Sequence, residues 1–383
     1  MSERLAFIQA CLNRSEQIVE ICRQFKISEK TGHKWIARFR AEGEAGLRDR
    51  SHATLAGPHR LTPAVTEAVL ALRKRHPQWG AAKLRDRLLQ REPTQRWPAA
   101  STIGELLQRE HLIAPRRRRG ATHARLASAR TDATAPNVVW TVDFKGQFRL
   151  GTGADCYPLT VLDLHSHFLL RCAALSTTAV APARAVFTRL FTEYGLPTVL
   201  RSDNGVPFAQ PNAIGRLGAL AFWWIRLGIR PEHTRPATPS ENGAHERFHK
   251  TLKAEATLPG SASLAAQQRR FDRFAVEYNT ERPHESLPDH RPPAHVYTAS
   301  PRVYPAILPP LTYPQATAVR LVQTAGAIKW HGHAIFLSGN LAGQDVGLTE
   351  VAGDCLRIHY ATLILGEYNP HTQRFMPNVR WEA

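Results

Sequence analysis

Residues 138–145 read VVWTVDFK, which places Val138, Trp140, Val142 and Phe144 on one face of a strand and Asp143 on the other. A carboxylate in the middle of so apolar a strand is costly unless something compensates its charge. The strand opens a stretch that alternates between strand and helix patterns. Runs 157–163 and 168–174 flank the turn His165-Ser166-His167. A helix follows with Ala183, Val186, Phe187, Leu190, Phe191 and Tyr194 at i, i+3, i+4 spacing, closed by Gly195. A short strand at 198–201 then runs into Ser202-Asp203-Asn204-Gly205. The pattern predicts an α/β domain with a mixed sheet over residues 136–300.

Asp203 ends a strand, where open α/β sheets present ligands. Two strand-borne carboxylates, Asp143 and Asp203, suit hard divalent cations, which prefer oxygen donors. Ser-Asp-Asn-Gly is equally an ordinary turn. A third acid comes from the segment beginning at Ser240, which is predicted helical from about Gly243, with Ala244, Phe248 and Leu252 facing inward. Glu246, Lys250 and Lys253 lie at i, i+4 and i+7 on another face. That order suits a metal ligand whose neighbours hold a phosphate backbone; the plain alternative is a surface Glu–Lys pair. Glu241 precedes the helix, and Glu255 is half a turn out of phase with Glu246 at about 100° per residue, so Glu246 is the expected ligand. His245-Glu246-Arg247-Phe248-His249 also matches H-E-x-x-H, the zinc-protease helix. Against that reading, Arg247, Lys250 and Lys253 crowd the motif, and it leaves Asp143 and Asp203 unexplained.

Charge decides between partners. The chain has 50 Lys+Arg against 32 Asp+Glu, a net +18, and residues 1–135 hold 26 of those basic and 13 of those acidic residues. A basic front third points to nucleic acid. Residues 1–50 are expected to form a helix-turn-helix unit. Ile18, Ile21, Cys22 and Phe25 lie on one helix, and Gly32, Trp35, Ile36 and Phe39 on the next, which starts at Ser28 and stops at Glu42-Gly43. Lys30, Lys34 and Arg38 form a basic ridge on that second helix. A second helical DNA-binding unit is expected over 61–114. It opens at Thr62-Pro63 with Val65, Val69 and Leu72 inside, continues through a basic helix with Lys83, Arg85 and Arg87 around Leu84 and Leu88, and ends with Ile103, Leu106 and Leu107. A basic linker, 115–135, carries Arg116, Arg117, Arg118 and Arg119, a run able to thread along phosphates. Lys145, Lys250 and Lys253 are the candidate DNA contacts of the core.

Five prolines between Pro301 and Pro314 mark the next boundary. Beyond them, apolar runs at 319–322, 327–337, 345–348 and 356–365 predict a small C-terminal β-barrel over 315–383. Five scattered cysteines without C-x-x-C argue against a disulfide framework and a Cys-based zinc finger, and suit a reducing compartment. The longest apolar stretch, 217–225, is far short of the roughly 20 residues a membrane helix needs. The expectation is a soluble cytoplasmic protein, associated with the nucleoid.

The segments WTVDFKG, RSDNGVPF, SENGAHERFHKTLKAE and EYNTERPHESLPDHRPPAHVY resemble the catalytic core of DDE transposases with a retroviral-integrase-type domain, above all those of bacterial insertion sequences. CRQFKISEKTGHKWIARFRAEG and HPQWGAAKLRDRL extend the likeness into the front, so that it covers nearly the whole chain. The resemblance implies a ribonuclease-H-like fold for the core, and a catalytic and metal-binding triad of Asp143, Asp203 and Glu246. It implies two Mg²⁺ per site, with Mn²⁺ as a substitute, acting on double-stranded DNA: the terminal inverted repeats of the element and a target. It implies a homo-oligomer, a dimer or larger, in the synaptic complex. The 42 residues between Asp203 and Glu246 exceed the gap in the retroviral members, and the excess is assigned to the loop at 207–218. A catalytically inactive DNA-binding regulator is the alternative function, and a zinc metalloprotease acting through HERFH a more distant one.

Overall fold

The computed structural model describes residues 2–13, 17–49, 61–113, 131–234, 243–314, 316–351 and 353–382. It divides into two compact units, Met1–Thr62 and Pro63–Ala383.

The first unit is helical. Helix α1 (Ser2–Asn13) packs with α2 (Ile18–Gln24) and α3 (Glu29–Glu42) around Phe7, Ile8, Ile21, Cys22 and Leu47. Ser28 caps α3 as expected: its hydroxyl accepts the backbone N–H of Thr31 at 3.2 Å. Gly32 is required where α3 meets its partners, because a Cβ there would lie 2.5 Å from Cys22 Sγ and 3.0 Å from Phe7. Lys30 and Lys34 are exposed on α3, and Arg38 is half-buried.

In the second unit, α4 (Pro63–Arg75), α5 (Ala81–Arg91) and α6 (Ala100–Arg109) bury the expected Val65, Val69, Leu72, Leu84, Leu88, Ile103, Leu106 and Leu107. The core sheet follows. Its strands are β1 (Val139–Phe144), β2 (Phe148–Arg149), β3 (Asp155–Asp163), β4 (Leu169–Leu175), β5 (Val199–Ser202) and β6 (Arg230–His233). The order is β4-β3-β1-β5-β6, with β2 paired to the start of β3. β3 is antiparallel to β1 and β4, whereas β5 is parallel to both β1 and β6. This mixed sheet is that of a ribonuclease-H-like core.

Strand alternation then sorts the two faces. Trp140, Val142, Leu159 and Val161 pack on α7 (Val180–Tyr194) and α8 (Ala219–Arg226). Leu162, Leu169, Cys172 and Ala174 pack on α9 (Gly243–Leu252) and α10 (Leu264–Thr280). From Ala219 on, the apolar run at 217–225 proves to be α8, a helix buried on two sides. Leu220, Trp223 and Trp224 face the core sheet, while Ala221, Phe222 and Ile225 face the C-terminal domain.

That C-terminal domain is antiparallel. Strands β7 (Ala318–Leu321), β10 (Asp345–Val351), β11 (Cys355–Tyr360), β12 (Leu363–Asn369) and β13 (Arg374–Trp381) form one sheet in the order β13-β12-β11-β10-β7, and β8 (Ala327–Trp330) with β9 (His333–Phe336) forms a hairpin on the same core. Two sequence expectations are corrected. Residues 356–365 are two strands, reversing at Ala361 (φ +51), and β13 was not anticipated because its exposed face breaks the apolar pattern. The segment at 203–218 turns on the bridge Ala209↔Leu217 and docks on this domain, where Gln210 meets Asn340 and Gly215 meets Val379.

The second helical unit is seated on the core. Glu281, following α10, receives Arg75 at 3.0 Å, Arg87 at 3.3 Å and Arg91 at 3.8 Å. His76 bonds Glu277 at 2.8 Å, and Lys83 donates to the Pro283 carbonyl at 3.0 Å. Cations expected to face DNA are thus partly engaged in packing: Lys83 and Arg87 are half-buried, as is Arg85.

Candidate active site

Parallel pairing of β1 with β5 sets Val142 opposite Ser202, so Asp143 and Asp203 each follow by one residue at neighbouring strand ends. Asp143 is half-buried on the α9 face of the sheet, one step out of phase with the buried Val142. Asp203 is shaped by its own turn, its Oδ1 accepting the Gly205 N–H at 3.1 Å. A Cβ at Gly205 would lie 2.9 Å from Asp203 Oδ2, so this glycine leaves the carboxylate clear. The ends of β5 and β6 are held by a half-buried ion pair, Arg201 Nη2 to Glu232 Oε2 at 2.9 Å, and by Ser202 Oγ bonding His233 Nδ1 at 3.1 Å.

Helix α9 lies on this face, and its two histidines turn inward. Thr160, opposite Asp143 on β3, is fully buried. Its hydroxyl donates to the Asp143 carbonyl at 3.0 Å and lies 2.7 Å from His245 Nε2 and 2.9 Å from His249 Nε2. A hydroxyl has one proton and two lone pairs, so both imidazoles must donate from Nε2. His245 Nδ1 then accepts from the Thr141 hydroxyl at 3.0 Å, and His249 Nδ1 faces Asp143 Oδ2 at 3.8 Å. Burial, then the neighbouring Lys145, pushes His249 down to about 3; burial holds His245 far below its usual range as well. Both rings are neutral at pH 7.

Ligand atoms of Asp143, His245 and His249 lie within 4.8 Å of one another, close enough to surround an ion. His245 nevertheless has both nitrogens hydrogen-bonded, and both Nε2 atoms point at a threonine hydroxyl rather than into open space. The H-E-x-x-H reading, which needs two lone-pair nitrogens converging on zinc, is not what these rings are arranged to do.

Glu246 is exposed in the first turn of α9. Lys250 and Lys253 are exposed, while Lys145 is half-buried beside His249. The α-helix gives way to a π-helical turn at Lys253–Thr257, so a constant 100° step does not carry through to Glu255. Glu255 is bound instead to Arg282 at 2.7 Å. Asp163, another strand-end acid, is fully buried and accepts from the N–H groups of Asn137 and Ser166 and from the Ser166 hydroxyl, a structural carboxylate. Glu241 and Arg116–Arg119 lie outside the described residues. The sequence reading missed the inward turn of His245 and His249, although their i, i+4 spacing flanking Phe248 was the available signal.

Comparison with known proteins agrees with this architecture. Integrase core domain models match residues 133–239 and 227–293, a helix-turn-helix domain model matches 3–53, and a homeodomain-like domain model matches 31–107. The Gag-Pol polyprotein of baboon endogenous virus (strain M7) is 27% identical over 161 residues, 42% of this chain and 9% of the viral protein. The Pol polyprotein of feline endogenous virus ECE1 is 26% identical over 161 residues, 42% of this chain and 14% of the viral one. The chain therefore spans only about a tenth of the length of these relatives. Among solved structures, the catalytic core domain of HTLV-2 integrase in complex with magnesium is 13% identical with a TM-score of 0.32, covering 43% of this chain and 99% of its own. The simian T-cell lymphotropic virus intasome in complex with PP2A regulatory subunit B56 gamma is 14% identical with a TM-score of 0.37, covering 82% and 98%. The chain carries helix-turn-helix domains ahead of an integrase core domain.

Proposed function

We propose that the protein is a DNA transposase that cleaves the ends of its element to expose 3′-hydroxyls and joins these to target DNA. The observation that carries this reading is the register of β1 and β5, which sets the Asp143 and Asp203 backbones side by side at the ends of neighbouring strands, with Asp143 against α9, the helix of Glu246. Two carboxylates at the ends of neighbouring parallel strands are a fitting donor set for Mg²⁺ or Mn²⁺, with Glu246 completing it. Two such ions, when bound, would polarise the scissile phosphate, lower the pKa of the attacking hydroxyl and stabilise the leaving oxygen.

The chain's own part is to hold and orient. Lys250 and Lys253, exposed on and just past α9, would hold the phosphate backbone, and Lys30, Lys34 and Arg38 of α3 would take the duplex ends. No side chain is needed as nucleophile. Water attacks the phosphorus at the element end and the bond to the 3′-oxygen breaks; that 3′-hydroxyl then attacks a target phosphodiester and releases a new target 3′-hydroxyl. A synaptic complex of two ends calls for at least a dimer. Joining assays with Mg²⁺ and the element's own terminal DNA test the reading. Asp143→Asn and Asp203→Asn should each abolish cleavage and joining while leaving end binding intact, and near-normal strand transfer by either variant would overturn it.

A further inference from the structure

The segment Tyr278-Asn279 … Arg282-Pro283-His284 has no place in the carboxylate site, yet its Tyr278, Arg282 and His284 wall a cavity of about 400 Å³ between α5, α9 and the end of α10. The cations come from three elements: Lys83 from α5, Arg247 from α9 and Arg282 after α10. The nearby carboxylates are largely committed elsewhere. Glu255 is bound to Arg282 at 2.7 Å, Asp86, which also acts on Lys83, is bound to His290 at 3.0 Å, and among the described residues the one acid lining the cavity is the exposed Glu285. His284 Nε2 is buried with no hydrogen-bond partner among the described residues. The field there is positive: burial first, then His167, Lys83, Arg282 and Arg247, hold His284 down at about 3, with no carboxylate offsetting them. The Thr251 hydroxyl, one turn beyond Arg247 on the same face of α9, donates to the Arg247 carbonyl at 3.4 Å and accepts from Arg282 Nη2 at 3.5 Å, which helps hold Arg282 at the cavity wall.

We propose that this cavity seats a phosphodiester of duplex DNA, gripped by Lys83, Arg247 and Arg282 with His284 Nε2 as a neutral donor. A mixed set of guanidinium and ammonium groups with a neutral donor around a concave site is the chemistry of phosphate recognition. The volume suits a nucleotide segment rather than a bare ion. Arg247 follows Glu246 directly and points about 100° further round α9, so a strand held here would run alongside the proposed catalytic carboxylates. The docking of α5 on the core thereby acquires a purpose, because Lys83 reaches the cavity only in that arrangement. The inference rests on the proposed DNA-joining function but concerns binding alone.

The test is the salt dependence of duplex binding by the full chain, measured by fluorescence anisotropy without divalent metal. Each phosphate contact contributes about 0.9 to the slope of log K against log salt. Arg247→Ala, an exposed position that folding should tolerate, should lower that slope by about 0.9, and Lys83→Met should do the same. Arg189→Ala, exposed on α7 across the sheet, should leave it unchanged. An unchanged slope in Arg247→Ala and Lys83→Met, with wild-type melting temperatures, overturns the cavity assignment while leaving the joining function standing. Inorganic phosphate that stabilises the wild type but not Arg247→Ala, with duplex slopes unchanged, reassigns the cavity to a free anion and also overturns it. Failure of every protein to bind duplex removes both proposals.

Discussion

Replacing Thr160 by Val keeps the shape of a fully buried side chain and removes one hydroxyl that serves three groups. The Nε2–H groups of His245 and His249 both lose their acceptor in a region without water access, and a buried unsatisfied donor costs about 1–3 kcal/mol. Two of them give about 2–6 kcal/mol, with a lost bond to the Asp143 carbonyl adding about 1 kcal/mol. Against a typical domain stability of about 5–15 kcal/mol this is a large fraction. Equilibrium urea unfolding followed by tryptophan fluorescence, which samples the fully buried Trp140 of the neighbouring strand, reads the loss. Thr160→Ser is the control: it keeps the hydroxyl, loses one methyl and should cost no more than about 1.5 kcal/mol. Equal losses in the two variants, or less than about 1 kcal/mol in Thr160→Val, would refute the bridging role assigned to the hydroxyl.

Acid should destabilise the fold in a definite window. His249 and His284 have folded values near 3 against about 6.5 unfolded, so the unfolded chain binds more protons below pH 6.5. Their stability is fully present above pH 6.5, falls as pH drops and levels out near pH 3. Together they remove up to about 5 kcal/mol by pH 4.5, and a melting midpoint level from pH 7 to 4.5 would contradict this. Glu281→Gln should leave Arg75, Arg87 and Arg91 clustered without their common acid and cost about 1–3 kcal/mol by urea denaturation, whereas no measurable change would mean the contact is solvent-screened. Gly195→Ala should cost more than about 1 kcal/mol, because the position has φ +76 and a Cβ would meet Ser300 O at 2.6 Å; a wild-type melting temperature would show that the α7 terminus can shift. Lys30→Ala and Lys34→Ala should weaken duplex binding and flatten its salt dependence, and a protein beginning near residue 130 that still selects the correct ends would refute a reading role for α3.

Local patterns carried much of the architecture. The inward faces of α4, α5, α6 and α7 could be read because each helix buries one stripe against one neighbour, so periodicity and burial coincide. β1 alternated cleanly for the same reason, and its one acid stood out. α8 did not announce itself, since a helix buried on two sides has no polar stripe to set its phase.

Which groups meet was decided by the tertiary structure. Parallel pairing over some 60 residues of chain sets Asp143 next to Asp203, and no local rule contains that register. The sequence by itself determined that His245 and His249 share a helical face; packing alone decided that this face meets Thr141 and Thr160 and holds two neutral rings beneath the sheet edge. In the same way, basic residues on α5 are DNA-facing candidates in the sequence, but docking against α10 turns Lys83 and Arg87 toward the core. A charge pattern records that a side chain can bind an anion. Only the arrangement of neighbouring elements decides whether that anion is a carboxylate of the same chain or a phosphate from outside.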